Sequence, residues 1–99
     1  MITHVVLFKF MAANKEANIR AGEERLRAMV GRVPSLRALE VGRHGPASPR
    51  SLDLALITRF DDYEGLAEYA VDPVHVEVKS FLAGVVESSH VVDFESDPG

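Results

Sequence analysis

Four short segments of apolar, β-prone residues, a helical repeat between the first two and a pair of closely spaced helix-start signals between the last two predict an α+β domain of order β-α-β-β-α-β. In that order the four strands form one antiparallel sheet with the helices on one face, the ferredoxin-like arrangement. A length of 99 residues suits one core, since chains this small bury roughly 60 to 70% of the surface they expose when unfolded. A single domain over residues 1–99 is expected.

The first strand is expected over Ile2 to Phe10, with Ile2, His4, Val6, Phe8 and Phe10 on one face and Thr3, Val5, Leu7 and Lys9 on the other. Both faces are largely apolar, as in a strand covered on both sides. Asn14 can cap a helix from about Lys15 to Arg32, whose apolar stripe is Ile19, Leu26, Met29, Val30 and Val33. Gly22 and Glu23 interrupt that stripe. A mid-helix Gly costs roughly 1 kcal/mol relative to Ala, so Gly22 marks close packing or empty space opposite it. The helix should end before Pro34, because the residue preceding a proline avoids the α region.

Leu36 to Arg43 reads as the second strand, ended by His44-Gly45-Pro46-Ala47-Ser48-Pro49-Arg50, the main loop. Leu52 to Phe60 is the third, with Leu52, Leu54, Leu56, Thr58 and Phe60 facing away from Asp53, Ala55, Ile57 and Arg59. Asp61 or Asp62 can cap a short helix through Ala70, with Glu64 in its first turn. Asp72-Pro73-Val74-His75 then repeats the start signal and opens a second helix across Val78, Phe81, Leu82 and Val85, so the helical segment is broken. His90 to Glu95 forms the last strand, followed by the polar tail Ser96-Asp97-Pro98-Gly99. Helices on one side leave the other sheet face uncovered, yet the outward-facing sets hold Val5, Leu7, Leu39, Val41, Ala55 and Ile57. Two-fold pairing of identical sheets buries such a face, so a homodimer, closed into a dimeric α/β barrel, is expected.

Composition narrows the chemistry. Hydrophobic residues make up 46% and charged residues 26%, ordinary globular usage that suggests neither disorder nor a membrane span. Net charge is -4 and no Lys/Arg run is dense enough to neutralise a line of phosphates, so nucleic acid is not an expected partner. The absence of Cys excludes disulfides, thiolate nucleophiles and Cys-ligated metals. The opening residues enter the strand pattern without a basic segment or a small-residue cleavage site, so no secretory signal is read and a cytoplasmic protein is expected. No phosphate-binding, dinucleotide-binding, zinc-protease or nucleophile-elbow motif occurs, and neither a metal nor a cofactor is expected.

Chemistry is left to His, Tyr and carboxylates. His4 is a titratable group on a face otherwise made of Ile2, Val6, Phe8 and Phe10, so it needs a partner or a water-filled pocket; a satisfied core histidine is the commoner outcome. His75 stands at the third position of the helix opened by Pro73, where N–H groups and the dipole favour the neutral imidazole that a general base requires. Tyr69, at the end of the preceding helix, could polarise a carbonyl or hold an enolate oxygen. Asp93 lies between Val92 and Phe94, an expensive place for a carboxylate unless it pairs. A hydrogen bond from His75 to Asp93 would make both positions reasonable. A pocket between sheet and helices is expected, lined by His4, Val6, Phe8, Leu26, Leu56, Tyr69 and His75, with Gly22 and Glu23 leaving the first helix underfilled. His44 and His90 look like loop and strand-edge residues.

The opening Ile2-Thr3-His4-Val5-Val6-Leu7-Phe8-Lys9-Phe10, Leu39-Glu40-Val41-Gly42, Asp53-Leu54-Ala55-Leu56, Asp72-Pro73-Val74-His75-Val76 and Val91-Val92-Asp93-Phe94 together resemble the stress-responsive dimeric α/β-barrel (Dabb) family. They are similar also to the plant polyketide cyclases that make olivetolic acid. The resemblance implies a ferredoxin-like dimer with a cavity in each subunit. From the cyclases it implies a site in which His75 is the base and Tyr69, Asp93 and His4 support it. Departures exist: a polar histidine of the plant site falls on Leu54, a tyrosine on Leu26, and the family's usual first histidine of H-P-x-H is Asp72. The function expected first is therefore a dimer of unassigned activity that binds a small apolar or ketide-like ligand in a His/Tyr-lined pocket. A cofactor-independent cyclase or lyase using His75 comes second. A monooxygenase of the related dimeric barrel type comes third, since Trp is absent and nothing points to haem or flavin.

Overall fold

The computed structural model describes residues 1–97; Pro98 and Gly99, the end of the expected polar tail, lie outside them. The elements run β1 (Ile2–Phe10), α1 (Lys15–Arg27), β2 (Ala38–Arg43), β3 (Leu54–Phe60), α2 (Tyr63–Val71), α3 (Pro73–Ala83) and β4 (Val86–Glu95). One sheet of order β2-β3-β1-β4 is antiparallel at each pairing, so the chain has the ferredoxin-like fold. All three helices lie on one face of it, α1 over β1 and β2, α2 over β1 and β3, and α3 against the other two helices.

Several boundaries differ from expectation. Helix α1 stops at Arg27 rather than near Arg32, because the chain tightens into i to i-3 turns (Met29 N to Leu26 O, Arg32 N to Met29 O) around Gly31 at φ 82°. Met29 and Val33 stay in the core from that turn, while Val30 is exposed. Asn14 does not cap with its side chain: it adopts the left-handed region at φ 54°, which Asn tolerates, and offers only its carbonyl to Asn18 N. Strand β2 begins at Ala38 because Leu36 N bonds back to Val33 O in a turn. Strand β3 begins at Leu54, and α3 ends at Ala83, short of Val85. Strand β4 begins at Val86, four residues before His90, and pairs with the whole of β1 across a bulge at Lys9/Phe10. Glu87, Ser88 and Ser89 are weak strand formers that the long β1 partner recruits as a sheet edge.

Register sorts the two faces. Val6 pairs with Leu56 and Val41 with the same Leu56, so all three point to the helices, where they join Phe8, Phe10, Leu26, Leu54 and Phe60 in the core. Val41 and Leu39, expected on the uncovered face, thus belong to the helix side; the uncovered face carries Val5, Leu7, Ala55, Ile57, Val92 and Phe94. Leu7, Val92 and Phe94 are 39%, 62% and 45% exposed, too much apolar surface on one sheet face to be incidental. Gly22 marks close packing, since a Cβ there would sit 3.3 Å from Leu82 Cδ2 and 3.4 Å from Phe10 Cζ. Glu23 is buried but bonded to Arg43 and Arg27, so neither residue leaves α1 underfilled as expected. Among the described residues no helix is long and apolar enough to cross a membrane.

Candidate functional site

The break between α2 and α3 builds the site. Asp62 caps α2 by accepting from Gly65 N at 2.8 Å, and Asp72 caps α3 by accepting from Val74 N at 2.8 Å. Asp72 itself is extended (φ -63°, ψ 132°), and Pro73 at the first helical position cannot continue α2. The chain therefore turns there, bringing Tyr69 of the last turn of α2 against His75 of the first turn of α3, with ring centroids 4.0 Å apart. Across the same break His75 Nδ1 lies 3.3 Å from Ala70 O, so Nδ1–H is the donor and Nε2 is left as the acceptor. His4 comes from β1, its ring centroid 6.2 Å from that of Tyr69.

The expected bond from His75 to Asp93 is not formed. Asp93 is the register partner of His4 across β1 and β4, and its Oδ1 accepts from His4 Nδ1. Two residues opposite each other on the same sheet face meet at short range, whereas His75 stands on a helix above. The tautomer-fixing partner of His75 is a backbone carbonyl instead, and the carboxylate orients His4.

His4, Tyr69 and His75 line a cavity of about 340 Å³ between sheet and helices. Its other walls include Val6, Phe8, Leu26 and Leu56; Asp93 stands behind His4 and is not part of the lining. The volume falls at the small end of the roughly 300 to 1,000 Å³ of ligand sites, and the mix of apolar wall with few polar groups is the usual one. The rest of the lining, which includes Leu66, Val78, Lys79, Leu82, Val86, Ser89 and Val91, lies outside the expected set. Lys79 and Leu82 were legible as the i+4 and i+7 positions after His75 on one helix face. Val86 and Ser89 were hidden by placing the start of β4 at His90.

Electrostatics set the protonation states. Burial pushes the Tyr69 phenol up, so it stays an O–H donor at any ordinary pH. That hydroxyl is buried and has no hydrogen-bonding partner among the described residues. Burial is also the main cause that lowers His75 below its ordinary 6.5; the Ala70 carbonyl opposes it, Lys79 and His4 add to it, and Asp72 opposes it. Position at the helix start was the expected cause, but desolvation dominates. The neutral imidazole results either way. His44 instead bonds Pro46 O at 2.7 Å in the loop, and His90 is exposed on β4. Among the described residues no three His or carboxylate side chains gather as a metal site.

Residues 2–96 match the sequence model of the stress responsive A/B barrel domain (Dabb). The chain belongs to this family. An uncharacterized protein of Streptomyces coelicolor is 34% identical to this Dabb domain over 77 residues, 76% of the chain and 79% of the relative. A crystal structure from Bacteroides fragilis, described as a dimeric protein of unknown function with a ferredoxin-like fold, superposes with a TM-score of 0.84 at 29% identity, covering 96% of this chain and 95% of that one. The hydroxynitrile lyase of Passiflora edulis superposes with a TM-score of 0.84 over 99% of this Dabb domain and 94% of the lyase, at 13% identity, a likeness of fold alone.

Proposed function

We propose that this Dabb domain works as a homodimer that binds a small, mostly apolar molecule carrying a carbonyl group in the cavity of each subunit. The observation that supports this is the Tyr69 hydroxyl, a buried donor without an acceptor among the described residues that belongs to a largely apolar cavity wall. Leaving a hydroxyl buried and unpaired costs about 1 to 3 kcal/mol, and a ligand carbonyl would relieve that cost. The two imidazoles beside it present acceptors at Nε2, so the donor to the carbonyl is the Tyr69 O–H, and the remainder of the ligand meets aliphatic wall. The dimer is supported by the apolar uncovered face and by the dimeric state described for the Bacteroides fragilis neighbour. Titration calorimetry with nonanone and with nonane, compared at equal chain length, is the test. Nonanone should bind, and Tyr69→Phe should weaken it roughly tenfold, the worth of one hydrogen bond; a wild-type protein that binds neither compound would refute the proposal.

A cyclase or lyase activity is the second reading, favoured by the lowered pKa of His75 together with the neutral phenol beside it. In that chemistry His75 Nε2 takes the proton from the carbon next to the carbonyl, and the electron pair moves onto oxygen. Tyr69 O–H stabilises that oxyanion, with His4 held in place by Asp93. A hydroxynitrile lyase on the same fold is compatible with such use, though fold alone does not transfer function. Deuterium exchange into the carbons flanking the nonanone carbonyl would follow it. His75→Ala should abolish the exchange and Asp93→Asn should slow it; exchange unchanged in His75→Ala would refute His75 as the base.

A further inference from the structure

We propose that Lys79 is the counter-ion for a carboxylate on the ligand, so that the cavity takes aliphatic oxo acids in preference to neutral molecules of the same length. The inference rests on the ligand-binding role proposed for the cavity and names the class of molecule it takes. On α3 the residues at the cavity are His75, Val78, Lys79, Leu82 and Ala83, one stripe at three- and four-residue steps. Lys79 is the charged member of that stripe, at a place where an aliphatic residue would continue the wall.

Among the described residues no Asp or Glu lines the cavity, so its fixed formal charge is the Lys79 ammonium. The acidic residues around it are occupied or turned away. Asp93 is bonded to His4, Asp72 caps α3, and Glu87 pairs with Lys9 at 3.1 Å. Glu77, two positions before Lys79, lies on another face of the helix. Among the described residues Lys79 forms no ion pair, although Lys9 and Lys15 both do.

Position decides what the ammonium can reach. Ala70, Lys79, Ala83, Ser89 and Val91 are the exposed members of the lining, so Lys79 stands at the mouth, which opens between α3 and the edge strand β4. A lysine in such a place lays its methylenes along apolar wall and holds its charge at the rim. It stands just over one helical turn, about 6 Å along the axis, from His75, whose ring rests on Tyr69. A molecule with its carbonyl at the Tyr69 hydroxyl would therefore present a carboxylate a few carbons away to Lys79, with the aliphatic remainder toward Leu26 and Leu56.

The test uses oxononanoate and nonanone as length-matched probes in titration calorimetry at low ionic strength. Oxononanoate should bind the wild-type domain roughly tenfold more tightly, the size expected of a charge-assisted contact at a partly sheltered site. The affinity ratio should fall toward one in Lys79→Met, persist in Lys79→Arg, and shrink as salt is raised. A ratio of one in the wild type, or a ratio that survives in Lys79→Met, overturns the role of Lys79 while the cavity still binds nonanone. If neither probe binds the wild type, both this inference and the ligand-binding proposal beneath it fall.

Discussion

Replacing Tyr69 by Phe separates what the hydroxyl does for the fold from what it does for a ligand. Tyr69 is 2% exposed, and its ring packs 5.0 Å from that of Phe60 and 4.0 Å from that of His75, contacts that Phe keeps. Deleting the oxygen makes no new void in packed core, because the ring already borders the cavity. What is removed is a desolvated donor with no acceptor among the described residues, a burden of about 1 to 3 kcal/mol, against a small loss of dispersion from one atom. Tyr69→Phe should therefore be more stable than the wild type by about 1 kcal/mol, which for a chain of this size raises Tm by roughly 4 to 8 °C. Urea unfolding followed by circular dichroism measures it, with an unchanged slope showing that the same surface is exposed. The same protein should bind nonanone less well, a gain in stability matched by a loss of binding. A Tyr69→Phe protein destabilised by about 1 kcal/mol or more would mean that the hydroxyl is satisfied within the folded chain, and the case for a ligand carbonyl there would fail.

Three further outcomes are expected. Because burial lowers His75 below the ordinary 6.5, the unfolded chain binds more protons between the two values; the stability this group contributes is whole above about pH 6.5 and is lost as pH falls through the folded value. Urea midpoints taken from about pH 8 to about pH 5 should fall less steeply in His75→Gln than in the wild type. Asp72→Ala removes the acceptor for Val74 N and should cost about 1 kcal/mol in the same assay, with nonanone affinity also lowered because the turn that seats His75 against Tyr69 loosens; an affinity unchanged by the substitution would show that Pro73 alone sets the turn. Val92→Asp places a charge on the uncovered sheet face and should reduce the mass found by light scattering from twice 10.9 kDa to 10.9 kDa, whereas a dimer that persists would put the interface elsewhere.

The sheet was legible because β1 and β3 alternate over seven or more residues and pair with each other, so local pattern and long-range contact agree. The helix break was legible because Asp72 and Pro73 carry a start signal whose mechanism is local. Failures arose where tertiary contact decides. Strand β4 gains four residues from its long partner, Val41 takes the helix-side face from its register opposite Leu56 of β3, and Gly22 closes against Leu82, a residue sixty positions away. At the site, the residue types His4, Tyr69, His75 and Asp93 were readable, but their pairing was not: whether Asp93 meets His75 or His4 depends on strand register, which sequence spacing between residues 75 and 93 does not contain. The fixed tautomer of His75 was foreseen with the wrong acceptor, because a backbone carbonyl across a helix break leaves no mark in side-chain identity.

Strand β4 has side chains of period two, and its two sides meet different surroundings. Ser89 and Val91 form cavity wall, while Val92 and Phe94 look out from the uncovered face. A rigid shift or twist of this one edge strand displaces both sets together, with no relay through the core needed. If such a shift accompanies pairing of two copies through that face, occupancy of the cavity and association of the subunits are linked equilibria, and each changes the other by the same factor. The apparent affinity for a ligand would then depend on protein concentration, and a ligand would alter the dilution at which dimers dissociate.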